Sequence, residues 1–188
     1  MLNAYQKIID NLKDKDKFII LIDGYAGSGK TTLSKILSEE LNATLIHVDD
    51  FYLPIEKRNS DWFETPAGNI DFSRLNDEVI IPFKKKETLI INKFNPRKQE
   101  LEHLGKLNYN PKLIIEGSYS MHPEIKLDGT YKIFMKCNDI KQKERLIVRE
   151  KDNYINFKNT WIVKELNYHQ TFNIEKKSDQ VIDTSDLF

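Results

Sequence analysis

The sequence predicts an α/β protein in which a mostly parallel, five-stranded sheet lies between two layers of helices. Residues 18–22 are apolar throughout and end at an Asp-Gly pair, which is typical of a strand buried on both faces. Amphipathic patterns at helical spacing flank this run and recur along the chain. Because strands that alternate with helices favour a parallel sheet, the three-layer α/β/α class is the prediction.

The first half of the chain is predicted to hold two helices and two strands. One helical face over residues 3–14 gathers the apolar side chains Tyr5, Ile8, Ile9 and Leu12. The strand at residues 18–22 follows, and residues 31–42 again space apolar side chains as a helix does. A second strand is predicted over residues 44–48. Residues 51–69 are polar and aromatic and contain two prolines, which predicts a long functional loop.

The second half is predicted to complete the sheet and to carry a lid. Ser73 is the expected N-cap of a helix that runs to about Phe83. The other predicted elements are strands at residues 88–92, 112–116, 131–136 and 180–182 and helices at residues 139–150 and 160–172. The polar residues 151–159 are expected to form a flexible separator between the last two helices. We expect one domain over residues 1–188, with a short helical lid at approximately 145–160.

Composition excludes several classes of function. The 29 basic and 29 acidic residues give a net charge of zero, so the basic excess of a nucleic-acid-binding protein is missing. The single cysteine, Cys137, excludes an intrachain disulfide and a cysteine-based zinc site. No apolar run reaches the ~20 residues that span a bilayer, and the first residues lack a long apolar signal segment. We therefore expect a cytoplasmic protein without membrane or nucleic-acid partners.

The most specific signal is a phosphate-binding loop. Residues 24–31 read Gly-Tyr-Ala-Gly-Ser-Gly-Lys-Thr and match G-x-x-x-x-G-K-[ST] at every fixed position, between a strand and a helix. Glycines let the backbone N–H groups turn towards phosphate oxygens, and the helix N-terminus adds positive partial charge. Lys30 is expected to reach the β- and γ-phosphates, and the Thr31 hydroxyl to bind Mg²⁺. The predicted nucleotide-binding residues are Gly24, Tyr25, Ala26, Gly27, Ser28, Gly29, Lys30, Thr31 and Thr32.

Three further groups of charged residues follow predicted strands or lie on the predicted lid. Asp49 and Asp50 end the second strand, where a carboxylate can orient a substrate hydroxyl, although Asp also serves there as a cap or turn residue. Glu116 ends a buried strand and is a candidate for a place near Mg²⁺ or for a plain turn. Arg145 and Arg149 share a helix face at the start of the lid, where they would neutralise charge on a transferring phosphoryl group or simply lie exposed.

These residues resemble the uridine kinase and phosphoribulokinase family of P-loop kinases, over nearly the whole chain from residue 18 to residue 183. The sequence Asp49-Asp50-Phe51-Tyr52 is similar to the family's Asp-Ser-Phe-Tyr, and residues 66–71 to its His-Pro-x-x-Phe-Asp segment with one extra residue. Residues 115–123 and 161–163 resemble a bacterial subgroup that is called uridine kinase-like. The family's Tyr-Asp segment stands here as Phe94-Asn95, and its following histidine has no clear partner.

The resemblance implies a role for each matching residue. Asp49 falls on the catalytic base, Tyr52 and Phe94 on the nucleoside pocket, and Asp71 on a position that holds ribose hydroxyls. Lys30, Arg145 and Arg149 would neutralise phosphate charge, and Thr31 and Glu116 would hold Mg²⁺.

The predicted function is transfer of the γ-phosphate of ATP to a hydroxyl of a small molecule, first the 5′-hydroxyl of a nucleoside such as uridine or cytidine. A kinase for another small alcohol, such as nicotinamide riboside or pantothenate, and a regulatory nucleotide triphosphatase are the alternatives. The sequence leaves open whether ATP or GTP is the donor and whether Asp49 or Asp50 is the base. It also leaves open whether the chain forms a homo-oligomer.

Overall fold

A computed structural model of the chain describes residues 2–187 and confirms the three-layer α/β/α fold. The strands are β1 Phe18–Gly24, β2 Thr44–His47, β3 Leu89–Asn95, β4 Glu100–Leu107, β5 Lys112–Glu116, β6 Thr130–Lys136 and β7 Gln180–Asp183. The α-helices are α1 Leu2–Leu12, α2 Lys30–Leu41, α3 Phe72–Leu75, α4 Ile81–Lys85, α5 Asp139–Glu150, α6 Tyr154–Phe157 and α7 Val163–Phe172.

The main sheet contains five parallel strands in the order β2-β5-β1-β6-β7. β1 is its centre: Ile22 lies opposite Glu116 of β5, and Gly24 lies opposite Met135 of β6. Parallel neighbours require crossover connections, which the helices provide. Because all five strands point the same way, their carboxyl ends meet at one edge of the sheet.

The sheet is buried on both faces, as the continuous apolar runs predicted. Ile20, Ile22 and Ile114 pack on one face with side chains of α1 and α2. Leu21 and Ile115, which alternate with them, pack on the opposite face, in a cluster that also contains side chains of α7 and of residues 72–80. Each of these five side chains is at most 2 % exposed, and burial of such a side chain contributes roughly 1.5–3 kcal/mol.

The helix predicted from Ser73 begins one residue earlier and has a different cap. Asp71 is the N-cap residue, and its carboxylate accepts the backbone N–H of Arg74 at 3.0 Å. The helical run continues to Lys85, but residues 76–80 form a wider π-helical segment just before Pro82. A proline has no N–H for the regular helical pattern, and a widened turn accommodates that gap.

The predicted strand at residues 88–92 exists, but it lies outside the main sheet. β3 pairs only with β4, in an antiparallel hairpin that the sequence analysis did not predict. β4 is mostly exposed, with Leu101 and Leu104 on its surface. It therefore lacks the apolar alternation that marks a half-buried strand.

The predicted flexible separator at residues 151–159 is helical instead. Lys151, with a φ of 51°, ends α5, and the chain then continues through a short 3₁₀ segment, α6 and a π segment into α7. The segment after α5 that was predicted to belong to a lid is therefore a series of short helices. Over residues 2–187, no helix is both long enough and apolar enough to cross a membrane.

Candidate active site

Three loops meet at the carboxyl edge of the sheet. The phosphate loop follows β1, a 3₁₀ turn over Val48–Phe51 follows β2, and residues 117–121 follow β5. Since β2, β5 and β1 are neighbours, these loops enclose one cavity of about 650 Å³. This volume is within the usual range for small-molecule sites.

The phosphate loop needs glycine where the backbone turns. Gly24 has a φ of 137°, and a Cβ atom there would lie 1.9 Å from the carbonyl oxygen of Met135. Gly29 has a φ of 93° and is the N-cap residue of α2, which begins at Lys30. The loop therefore delivers the chain directly to a helix N-terminus, where backbone N–H groups favour an anion.

Lys30 and Thr31 line the cavity, as expected for residues that would contact phosphate and metal. The Lys30 ammonium donates hydrogen bonds to the carbonyl oxygens of Gly24 and Tyr25, at 2.9 and 3.0 Å. Ala26 also lines the cavity, whereas Thr32, which was predicted to bind nucleotide, is exposed and does not line it. The predicted contacts of Gly27, Ser28 and Gly29 with nucleotide remain predictions.

Thr31 and Glu116 form a site whose donor atoms suit Mg²⁺. The Thr31 hydroxyl lies 3.4 and 3.5 Å from the two carboxylate oxygens of Glu116. His47 Nδ1 is hydrogen-bonded to the same carboxylate, and this contact raises the pKa of His47. Within residues 2–187, no three His, Cys, Asp or Glu side chains converge on a metal point. A hydroxyl, one carboxylate and phosphate oxygens are nevertheless the ligands that Mg²⁺ commonly takes.

Asp49 and Asp50 lie on the 3₁₀ turn, because β2 ends earlier, at His47. The alternation of a strand, which would send the two carboxylates to opposite faces, therefore does not apply to them, and both line the cavity. They differ in their partners. Asp50 is 7 % exposed and forms an ion pair with Lys93 at 3.5 Å. Asp49 has no cation within ion-pair distance among the described residues.

The environment of Asp49 makes it a stronger base than an ordinary carboxylate. Its side chain is accessible from the cavity but enclosed by surrounding elements, and it lies close to Gly117. Burial and the negative charge of Glu116 raise its pKa to about 6, against the partial opposition of Lys30. A carboxylate with this pKa is ionised at pH 7 and accepts a proton more readily than a solvated one.

Aromatic side chains form the wall of the cavity away from the phosphate loop. The Tyr52 ring centroid lies 6.5 Å from that of Phe94 and 5.7 Å from that of Trp161. Tyr52 and Phe94 are pocket residues that the family resemblance implied, whereas no pocket role was predicted for Trp161. Asp71, the third predicted acceptor residue, does not line the cavity; it caps α3 instead.

Arg145 and Arg149 both lie on α5, but their side chains contact different parts of the protein. Arg145 donates to the Gly27 carbonyl oxygen at 3.0 Å and to Thr184, outside the lining of the cavity. Arg149 lines the cavity, donates to Glu150 at 2.6 Å and lies 4.9 Å from the centroid of the Phe157 ring. Of the two arginines, only Arg149 therefore lines the cavity.

α7 packs against the end of β1, directly before the phosphate loop, through residues that were not predicted as site residues. Tyr168 donates its hydroxyl to Asp23 at 2.8 Å, and His169 lies 3.3 Å from the same buried carboxylate. Burial would raise the pKa of Asp23, but the contact with His169 and the N–H of Met121 hold it below its usual value. Glu165, also on α7, lines the cavity. No local motif marks these residues, because their partners are distant in sequence.

A buried strand, a glycine-rich loop and a helix follow one another here, with carboxylates at or just after the ends of the neighbouring strands. They define a P-loop domain, the class that binds nucleoside triphosphates. The chain belongs to the family described as the KAP family P-loop domain, whose model matches residues 1–100.

The chain is also similar in sequence to two individual proteins. The chain is 30% identical over 115 residues to uridine-cytidine kinase D of Dictyostelium discoideum, covering 61% of this chain and 23% of that protein. It is 27% identical over 132 residues to a cytidylate kinase of Methanosphaera stadtmanae, covering 70% of this chain and 64% of that protein. The chain thus spans less than two thirds of either relative. These similarities confirm the resemblance to uridine kinases predicted from the sequence.

The fold also matches a solved structure along nearly its whole length. A possible uridine kinase from Bacillus stearothermophilus superposes with a TM-score of 0.73, at 22% identity, over 96% of this chain and 98% of that one. At this identity the match establishes the α/β P-loop kinase fold.

Proposed function

We propose that the chain is an ATP-dependent kinase that transfers the γ-phosphate to a hydroxyl of a small molecule, with a nucleoside 5′-hydroxyl as the first acceptor to test. The observation that carries this proposal is the content of one cavity. Lys30 and Thr31 of the phosphate loop, the unpaired carboxylate of Asp49 and an aromatic wall all line it. A nucleotide switch has no need of the last two features.

At the nucleotide end, the phosphate loop and the N-terminus of α2 would hold the β- and γ-phosphates, with Lys30 turned from its loop carbonyls towards them. Thr31 and Glu116 would hold Mg²⁺, which when bound neutralises charge on the β- and γ-phosphates. The hydrogen bond from His47 orients the Glu116 carboxylate. A cytoplasmic protein would find ATP and Mg²⁺ in supply, which fits this chemistry.

At the acceptor end, Asp49 would accept the proton of the substrate hydroxyl. The hydroxyl oxygen then bonds to the γ-phosphorus, and the bond from that phosphorus to the β–γ bridging oxygen breaks, so that ADP leaves with the electron pair. Lys30 and Arg149 meet the charge on the transferring group. Most of the rate enhancement in such a site comes from positioning and electrostatics.

The aromatic wall supports a planar acceptor. Tyr52, Phe94 and Trp161 offer ring faces and edges against which a base can pack. The names of the two curated relatives refer to uridine, cytidine and cytidylate, so pyrimidine nucleosides are the first candidates.

A carboxylate-bearing alcohol such as pantothenate is the second candidate, and Arg58 favours it. Arg58 lines the cavity, its Nε–H donates to the Leu53 carbonyl oxygen at 3.1 Å, and its guanidinium lies 4.6 Å from the Trp62 centroid. In contrast to Lys93 and Arg149, it has no carboxylate partner among the described residues. An anionic group of the acceptor would satisfy it.

ADP release across a panel of acceptors tests both candidates. The panel contains uridine, cytidine, nicotinamide riboside and pantothenate, with Mg²⁺ present and with ATP as donor, or GTP as donor when GDP release is measured instead. Acceptor-dependent ADP release, with a phosphorylated product confirmed by mass spectrometry, is expected for at least one alcohol. Nucleotide hydrolysis at the same rate with and without every acceptor would contradict the kinase proposal and favour a regulatory triphosphatase.

A further inference from the structure

Glu165 is a buried carboxylate that the proposed reaction does not use. It is the third residue of α7 and is 7 % exposed. One of its oxygens accepts the backbone N–H of Ala26 at 2.9 Å, and the other accepts the hydroxyl of Ser118 at 2.6 Å. Both donors are neutral, and no cation in the described part of the chain forms an ion pair with Glu165. Its charge is therefore held in place without being neutralised.

Glu165 lies where it would compete with a triphosphate for the phosphate loop. Ala26 is the third residue of the phosphate loop, and Glu165 lines the same cavity as Lys30 and Asp49. The N–H groups of this loop are the donors that phosphate oxygens use, and an N–H directed at a carboxylate is not available to them. A carboxylate and a terminal phosphate in one enclosed cavity also repel each other. The negative charge of Glu165 already contributes to the raised pKa of Asp49.

Lys164, the residue before Glu165, connects the start of α7 to the loop of residues 51–69, which we call the acceptor loop. The Lys164 ammonium donates to the carbonyl oxygens of Trp62, Phe63 and Thr65, at 2.6, 3.1 and 3.3 Å. It is 2 % exposed, and burial lowers its pKa to about 8. Two consecutive residues at the start of α7 therefore hold the two sides of the site, Glu165 the phosphate loop and Lys164 the acceptor loop.

We propose that Glu165 competes with the terminal phosphate of the nucleotide for the Ala26 N–H, and that its displacement shifts the start of α7 and, through Lys164, the acceptor loop. Nucleotide binding and the shape of the acceptor pocket are then coupled, and acceptor binding must affect nucleotide affinity to the same extent. This competition rests on the nucleotide site of the proposed function but needs no phosphoryl transfer.

Binding of a non-hydrolysable ATP analogue and of AMP, measured by calorimetry on the whole chain, tests the competition. Glu165→Gln removes the charge and is expected to tighten binding of the ATP analogue at least about fivefold, the low end of ordinary coupling. AMP, which lacks the terminal phosphates, is expected to bind with little change. Glu144→Gln, on the exposed side of α5, is the matched control for loss of one negative charge. Weaker binding of the ATP analogue, or an equal change for AMP, would show that Glu165 supports the loop and would overturn the competition.

Tryptophan fluorescence tests the connection to the acceptor loop. Trp62 and Trp161 are the two tryptophans of the chain; their ring centroids lie 6.4 Å apart, and Trp161 lines the cavity. The ATP analogue is expected to change their emission in the wild-type chain. Lys164→Met is expected to reduce that change while the analogue still binds. An emission that does not respond to the analogue in the wild type, or that responds equally in Lys164→Met, overturns the connection.

A thermal melt shows whether the Glu165→Gln protein folds. If it does not fold, a second variant tests the same competition. Ser118→Ala removes one of the two bonds that hold the carboxylate, and tighter binding of the ATP analogue, smaller than for Glu165→Gln, is then expected. Unchanged or weaker binding in Ser118→Ala counts against the competition. Because these measurements use no acceptor, a chain that passes them but phosphorylates nothing contradicts only the proposed kinase reaction.

Discussion

The hydroxyl oxygen of Thr31 lies 3.4 Å from a carboxylate oxygen of Glu116, although 85 positions separate the two residues along the chain. The register of β1 and β5, with Ile22 opposite Glu116, brings the end of β5 beside the phosphate loop. Two hard oxygen donors on two rigid elements thereby lie side by side next to the phosphate loop, where they would hold Mg²⁺.

Glu116→Gln is expected to raise the Mg²⁺ concentration needed for half-maximal turnover and to lower maximal turnover. The amide keeps the shape of the side chain but loses the charge that attracts the cation. Nucleotide binding without Mg²⁺ is expected to change only slightly, and both quantities can be measured by titration. Glu124→Gln, at an exposed position after β5, is the control. An unchanged Mg²⁺ activation curve would remove Glu116 from the metal site.

Lys30→Ala is expected to abolish phosphoryl transfer nearly completely and to leave the fold intact. Lys30 carries the positive charge of the phosphate loop, while its own bonds are only to the carbonyl oxygens of Gly24 and Tyr25. Turnover and thermal melts measure the two effects. Lys35→Ala, an exposed lysine on the same helix, should retain activity. Near wild-type transfer by a folded Lys30→Ala protein would contradict the assignment of the loop.

Asp49→Asn and Asp50→Asn form a matched pair that separates a base from a structural carboxylate. Asp49→Asn is expected to reduce acceptor phosphorylation by about 10²–10⁴-fold, the usual range for general-base catalysis, and to leave ATP affinity within a few-fold. Asp50→Asn breaks the ion pair with Lys93 and should reduce turnover less. An inactive Asp50 variant beside an active Asp49 variant would move the base by one residue. Acceptor phosphorylation near the wild-type rate in both variants would show that neither carboxylate is the base.

Turnover is expected to rise as the pH increases through about 6 and then to level off, because burial raises the pKa of Asp49 to about 6 and the base must be ionised. The same shift affects stability with the opposite sign. Since the folded pKa exceeds the ordinary value of 3.8, folding is disfavoured as the pH rises between these values. Asp49→Asn should therefore raise the melting temperature more at pH 8 than at pH 4. A pH-independent difference in melting temperature would refute the raised pKa.

Arg149→Ala is expected to lower kcat much more than it raises the KM for ATP. Arg149 reaches the cavity from the end of α5 and would meet charge that develops as the phosphoryl group transfers. Steady-state kinetics with a saturating acceptor measure both parameters. Arg97→Ala, an exposed arginine at the turn of the β3–β4 hairpin, is the control. A change confined to KM would assign Arg149 to ground-state binding.

Local patterns predicted the elements that carry their own signal and missed those that do not. The apolar runs of β1 and β5 and the glycines before α2 specify a buried strand, a tight loop and a helix start within a few residues. β4 has no such pattern, because two of its three leucines, Leu101 and Leu104, are exposed. The polar residues 151–159 indicated a flexible separator, yet they are helical in the folded chain. Most of its side chains are exposed, so no buried apolar face marks these short helices in the sequence.

The sequence by itself determined the α/β class, the phosphate loop and the carboxylates at the strand ends, because each depends on spacing within one element. Only the tertiary structure decided which of these charged groups form ion pairs and which line the cavity. It pairs Asp50 with Lys93 and leaves Asp49 without an ion pair, and it sends Arg145 to the back of the phosphate loop and Arg149 to the cavity. It also brings Glu165 to Ala26 across 139 positions of the chain. Such contacts follow from the packing of α5 and α7 against the edge of the sheet, and no local period encodes them.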